Sequence, residues 1–231
     1  MARRKSTDRP PGRPPRLDVE QVVTAAIAIV DESGLEALSM PKLAGRLGVG
    51  TMTLYTYVEN KDDLLDRMAS TLFRDLEVPT GTGLNRLGGY FRSFRLAALR
   101  HPALTRILAT GRITIPKVFD HLETLFSALQ ADGIDPKISV RTFYAALSYT
   151  IGFVVWETPR AQLQSPEYYP LQWAGLLDDL DPANYPILTG EAAPHLGSVA
   201  SEAQFEWGLQ TLLSGIAHIG QTQPGSGPGQ V

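Results

Sequence analysis

The 231-residue chain is 43% hydrophobic, enough to bury a core in one large or two small domains. It has no cysteine, which excludes disulfides and thiolate metal sites and fits a cytoplasmic protein. No apolar run approaches the ~18 residues of a membrane span, and the arginine-rich start lacks the apolar segment of a secretory leader.

The net charge of −3 is unevenly spread. Residues 1–17 hold Arg3, Arg4, Lys5, Arg9, Arg13 and Arg16 against Asp8 alone, a balance of +5, which leaves −8 for the rest. Residues 1–16 have almost nothing apolar to bury and are expected to be disordered in isolation. Their Pro11-Gly12-Arg13-Pro14-Pro15 run resembles the core of an AT-hook. Two roles are open for this arm: entry of its arginines, Arg13 among them, into a narrow A·T minor groove, or a solubilising tail.

A first helix is expected over 18–33. Val19, Val22, Val23, Ala26, Ile27 and Val30 recur at helical spacing, Asp18 and Gln21 form a capping pair, and Gly34 stops the run. The stretch 38–65, LSMPKLAGRLGVGTMTLYTYVENKDDLL, then predicts helix, tight turn, short helix and the start of another. Ser39 caps the first of these, and Pro41 sits in its first turn, where a missing N–H costs nothing. Leu43, Ala44 and Leu47 form its buried face. Gly48 occupies the left-handed C-terminal position, Val49 turns back into the core, and Gly50 opens the next helix. Thr51, Met52 and Thr53 fill that helix's first turn, with Leu54 and Val58 pointing inward. Two helices joined by so short a glycine turn make a helix-turn-helix, the module that lays its second helix in the major groove of DNA.

A helix beginning after Asn60 carries the stripe Leu64, Leu65, Met68, Ala69, Leu72, Phe73 and Leu76, and residues 79–83 break it. Further helices are expected at 84–100, 102–109, 116–131, 136–158 ending near Pro159, and 201–219, with Pro102 and Pro136 at helix starts. Residues 160–200 read as a long irregular segment, in which Trp173, Leu176, Leu177 and Leu180 mark one short helix. Residues 220–231 form a glycine- and proline-rich tail, expected to be disordered.

Residues 17–72 match, in order and without a gap, the DNA-binding domain of the tetracycline-repressor (TetR) family. Leu43, Ala44, Gly48, Val49, Thr53, Leu54, Tyr55, Tyr57 and Lys61 carry the pattern. Residues 100–104, 122–133, 148–157 and 205–216 resemble the ligand-binding domain of the tetracycline-repressor branch itself. The fold so implied is all-α: an N-terminal three-helix helix-turn-helix domain over 17–78 and a C-terminal helical bundle for ligand binding and dimerisation over 84–219.

The resemblance places Thr51, Met52 and Thr53 at base edges, and Tyr55, Tyr57 and Lys61 on phosphates, with Lys61 at a helix N-terminus that favours an anion. Lys42 and Arg46 flank the groove. For Met52 and Tyr57, simple packing is the alternative. In the bundle, the candidates for a ligand cavity are Phe94, His101, Leu104, Leu108, Arg112, Phe126, Tyr149, Phe153, Trp156 and Glu157. Glu157 and Arg112 match polar positions of the family's ligand site. His101, before Pro102 at a helix junction, reads equally as a structural hydrogen-bonding group. The family's metal-chelating histidine position is apolar here, near Leu108, which argues against a magnesium-tetracycline inducer. No metal and no cofactor is expected. The implied partners are a double-stranded DNA operator, an unknown small-molecule effector, and a second copy of the chain docked through the helices at 136–158 and 201–219; no membrane is among them.

An enzyme finds little support. His101, His121, His195 and His218 are scattered, and HExxH, GxxxxGK and GxSxG patterns are absent. The leading expectation is a ligand-responsive repressor that binds a palindromic operator; the alternative is an architectural DNA-binding protein indifferent to ligands.

Overall fold

The computed structural model describes residues 17–74, 76–109, 116–163, 168–197 and 201–222. Ten α-helices and no strand occur among them: α1 (Val19–Ser33), α2 (Met40–Leu47), α3 (Thr51–Leu54), α4 (Lys61–Arg74), α5 (Gly83–Arg100), α6 (Pro102–Ala109), α7 (Pro116–Ala131), α8 (Pro136–Leu163), α9 (Tyr168–Asp178) and α10 (Glu202–Thr222). The chain divides into two compact units between Lys61 and Asp62. The arm with Arg13 and most of the C-terminal tail lie outside the described residues.

In the first unit, α1 begins with the expected capping box. The Asp18 carboxylate accepts from the Gln21 amide at 2.8 Å, and the Gln21 side chain accepts from the Asp18 amide at 3.1 Å. Gly34 ends the helix at φ 82°, a conformation that favours glycine. α1 packs on α2, and α2 on α3. Val22, Ala26, Ile29 and Val30 meet Leu38, Leu43, Ala44, Leu54 and Val58 in the buried set. That apolar core holds the two short helices, which are too short to persist alone.

The second unit is built around α5, which packs against α6, α7, α8 and α10. Leu87, Tyr90, Phe91, Phe94 and Ala98 are fully buried along it. Phe94 stacks on Phe73 of α4, with ring centroids 5.0 Å apart. His101 caps the end of α5, and Thr105 of α6 donates to the Ala98 carbonyl at 3.2 Å, closing the corner.

Two expectations are corrected here. α8 does not end at Pro159 but runs on to Leu163. Proline deletes one amide donor, and that single loss does not terminate this helix. Its segment Pro136–Thr158 also proves long and apolar enough, by length and composition, to cross a membrane, with mean hydropathy 1.3. Nonetheless α8 packs on α5, α6, α7 and α10 as a bundle helix. Its buried Thr142, Thr150 and Thr158 hydroxyls donate to the carbonyls four residues back, at 2.7, 2.8 and 2.7 Å.

Candidate functional site

Local capping presents the first candidate site. The Lys42 amide donates to the Ser39 hydroxyl at 3.3 Å, and Pro41 lies in the first turn of α2. At the other end Gly48 adopts φ 67°, ψ 29°. Its amide donates to the Gly45 carbonyl at 3.3 Å and the Val49 amide to the Ala44 carbonyl at 3.1 Å, the paired bonds of a Schellman turn. Gly50 then opens α3, and its carbonyl accepts from the Thr53 amide at 2.9 Å.

α3 is a single turn anchored by Leu54, and Val58 is buried just beyond it. Everything else on it faces outward or partly so. Met52 is 78% exposed, which rules out packing within its own chain as its role. Thr53 and Tyr55 are exposed, while Thr51 and Tyr57 are half-buried, so a packing contribution from Tyr57 stands beside the contact reading. Lys61, the first residue of α4, is exposed. Lys42 and Arg46 stand one turn apart on the outer side of α2. Arg46 is not free: both its terminal nitrogens donate to Glu32 of α1 at 2.7 Å. The Arg46 hydrogen bond, with Arg46 and Lys42 charges adding, holds the Glu32 carboxyl below its ordinary range.

The second candidate site gathers on α5, α8 and α10. Glu157 is buried and takes both its oxygens to Arg95 of α5, at 2.6 and 3.1 Å. The Arg95 guanidinium lies 4.9 Å from the centre of the Phe205 ring and 5.8 Å from that of Phe153, within cation–π range. Tyr149 stacks on Phe205 at 5.5 Å and donates to its carbonyl at 3.0 Å. Gly208 permits this, since a Cβ there would overlap the Tyr149 ring and hydroxyl. Phe94, Leu104 and Leu108 are buried, Phe126 meets Phe143 edge-on at 5.9 Å, and His101 is half-buried at the end of α5. A second polar contact bridges α5 and α7: the buried Tyr90 hydroxyl lies 3.2 Å from His121 Nδ1, and burial pushes Tyr90 up.

The structure therefore brings together Tyr149, Phe153 and Glu157, which recur every four residues on the inward side of α8. Trp156 departs from that expectation. At 43% exposure it lies on the outer side, in line with Val140, Tyr144, Ser148 and Gly152. Arg112 lies outside the described residues. Arg95 and Phe205 were missed as site residues. The signal for Arg95 was an arginine set among Phe91, Phe94 and Ala98, inside an apolar stripe. Among the described residues no group of three or more metal-ligating side chains is gathered.

A glycine-turned helix pair displaying one exposed turn, followed by an all-helical unit with an aromatic-lined ion pair, defines a helix-turn-helix regulator. Comparison with known proteins narrows the class. Residues 22–68 match the model of "Bacterial regulatory proteins, tetR family", and residues 77–219 that of "Tetracyclin repressor-like, C-terminal domain". The transcriptional repressor DrrR1 of Streptomyces coeruleorubidus is 30% identical over 226 residues, covering 91% of this chain and 82% of its own. The class D tetracycline repressor of Escherichia coli is 29% identical over 209 residues, 87% and 89% of the two chains. The Streptomyces coelicolor TetR-family protein ActR, in complex with actinorhodin, superposes with TM-score 0.79 at 27% identity, over 89% and 99% of the two chains. The chain belongs to the TetR family, and it is a ligand-responsive DNA-binding transcriptional repressor.

Proposed function

We propose that this repressor binds a palindromic operator as a homodimer and is released by a small-molecule inducer held in its second unit. The observation that carries the DNA side is the exposed turn of α3, where a methionine 78% open to solvent stands beside Thr53 and Tyr55. In this reading Thr51, Met52 and Thr53 meet base edges, and Tyr55, Tyr57 and Lys61 hold phosphates. Lys42 and Arg46 flank the groove, and Arg13 belongs to an arm that lies along the minor groove.

Dimerisation through α8 and α10 fits their outward faces, which expose Val140, Tyr144 and Trp156 on one and Trp207 on the other. Two such pairs make a four-helix interface. A two-fold dimer reads two half-sites about one helical turn, ~34 Å, apart.

The inducer is a molecule with a flat apolar body and a polar group. Phe94, Leu104, Leu108, Phe126, Tyr149 and Phe153 supply the apolar contacts; Arg95, Glu157, Arg112 and His101 supply the polar ones. The ActR complex with actinorhodin supports a small-molecule effector. The resemblance puts the family's metal-chelating histidine position near Leu108, which is apolar and buried, and this argues against a metal-bound tetracycline. Binding shifts the population toward dimers unfit for the operator. A coupling of ~1–3 kcal/mol suffices, and α4, which follows the reading head in the chain, is the natural lever. The protein turns over no substrate and works in the cytoplasm.

The test is sedimentation of the purified protein with and without operator duplex, followed by titration with a panel of organic effectors. The reading expects a dimer that leaves the duplex on adding one of them. A monomer, or a complex indifferent to every compound, contradicts it.

A further inference from the structure

The charge of the reading head runs against its partner. Between Leu17 and Lys61 the cations are Lys42, Arg46 and Lys61, against the carboxylates of Asp18, Glu20, Asp31, Glu32, Glu36 and Glu59, a balance of −3. Two of the three cations share the outer side of α2, and one carboxylate answers both. Glu32 takes Arg46 through both oxygens at 2.7 Å, and the Lys42 charge acts on it as well.

This pair is not core scaffolding. Its side chains are 40% exposed for Arg46 and 57% for Glu32, and pairs so exposed contribute little to folding. Glu32 also stands in the last turn of α1, where the helix carbonyls already disfavour a negative charge and no basic residue of α1 compensates. What the pair does change is the charge that α2 offers to its surroundings.

Sequence-independent affinity for DNA comes from phosphate neutralisation, and discrimination from base contacts. A carboxylate that occupies the α2 cations lowers the first and leaves the second intact. We propose that Glu32 is a specificity-determining counter-charge: it competes with DNA phosphate for Arg46 and screens Lys42, so that the head holds non-cognate duplex weakly and depends on α3 for discrimination. The inference rests on the head's binding DNA.

The experiment measures binding of the full-length chain, E32Q, R46Q and E32Q/R46Q to a mixed-sequence duplex over a series of salt concentrations. A duplex enriched by the wild type from a random pool is measured beside it. E32Q is expected to tighten on the mixed-sequence duplex several-fold. It also steepens the dependence of log K on log salt by about 0.9 for each head bound. R46Q alone flattens the slope by clearly less than about 0.9 per head, because Glu32 already occupies Arg46, and E32Q/R46Q does not steepen it. The ratio of enriched to mixed-sequence affinity falls in E32Q. A slope in E32Q equal to or shallower than wild type, or the loss of a full contact in R46Q alone, overturns the inference while DNA binding stands. A wild-type chain that binds neither duplex overturns the DNA-binding reading and the inference with it. A scaffolding role for the pair would weaken binding in E32Q without steepening the slope.

Discussion

The two units put their functional side chains to opposite use of burial. In the first, the residues proposed to meet DNA stand outside a small core: Met52, Thr53 and Tyr55 project from a one-turn helix and its C-terminal cap, where Leu54 is the buried residue. In the second, the polar residues of the candidate site are inside, with Glu157 and Arg95 enclosed among Tyr149, Phe153 and Phe205. Changes in the first unit should therefore alter binding and leave stability nearly intact, and changes in the second should alter both.

The largest expected effect tests the buried side. Glu157→Ala leaves the Arg95 guanidinium without its carboxylate in an apolar setting, and is expected to destabilise the second unit by about 3 kcal/mol. Denaturant unfolding checks it, and replacing Arg95 by methionine in the same chain is expected to restore part of the loss. A variant as stable as wild type would mean that Glu157 is better hydrated than its burial implies.

Next come the exposed contacts. Tyr55→Phe and Lys61→Ala are each expected to cost about 1 kcal/mol of operator affinity per head, with unfolding midpoints unchanged. Lys61→Ala also flattens the salt slope by about 0.9 per head, whereas Tyr55→Phe does not. Quantitative gel shifts at several ionic strengths separate the two. Equal affinity in both variants would remove these residues from the interface.

The smallest effect lies between the extremes. Arg92 of α5 donates to Glu206 of α10 through two nitrogens, and this bond, with a second from Gln210, holds the Glu206 carboxyl down at about 2. Because the folded value lies below the unfolded one, the pair's contribution is complete above about pH 4.5. It fades as the pH falls toward 2. Both side chains are more than a third exposed, so the contribution is at most about 1 kcal/mol. Glu206→Gln is expected to lose that amount at pH 7 and to match wild type near pH 2, as measured by thermal unfolding at both.

The same contrast explains what was legible beforehand. The head is written in short spacings: Asp18 to Gln21, Ser39 to Lys42, Ala44 to Val49. Each is a bond between near neighbours, so residue type and offset suffice to predict it. The bundle is held by partners with no such offset. Arg95 and Glu157 are 62 residues apart, and Arg92 and Glu206 are 114 apart. Helical periodicity located α5, α6 and α7 closely, and the family resemblance marked Glu157, but nothing local names its partner. The pairing of Glu32 with Arg46, 14 residues on, falls between: each lies on a readable helix, and only the packing of α1 on α2 joins them. The outward position of Trp156 is not legible in the sequence, because hydrophobicity alone does not say which side of a long apolar helix turns inward.

Selection of bound duplexes from a random-sequence pool tests the central claim most directly, since it needs neither a known operator nor a known ligand. Wild-type protein is expected to enrich a two-fold repeat with half-sites about 10 base pairs apart, and Met52→Ala with Thr53→Ala to lose or change that repeat while retaining affinity for duplex in general. Recovery of the starting pool, or the same repeat from both proteins, would contradict the assignment of α3 as the element that reads DNA.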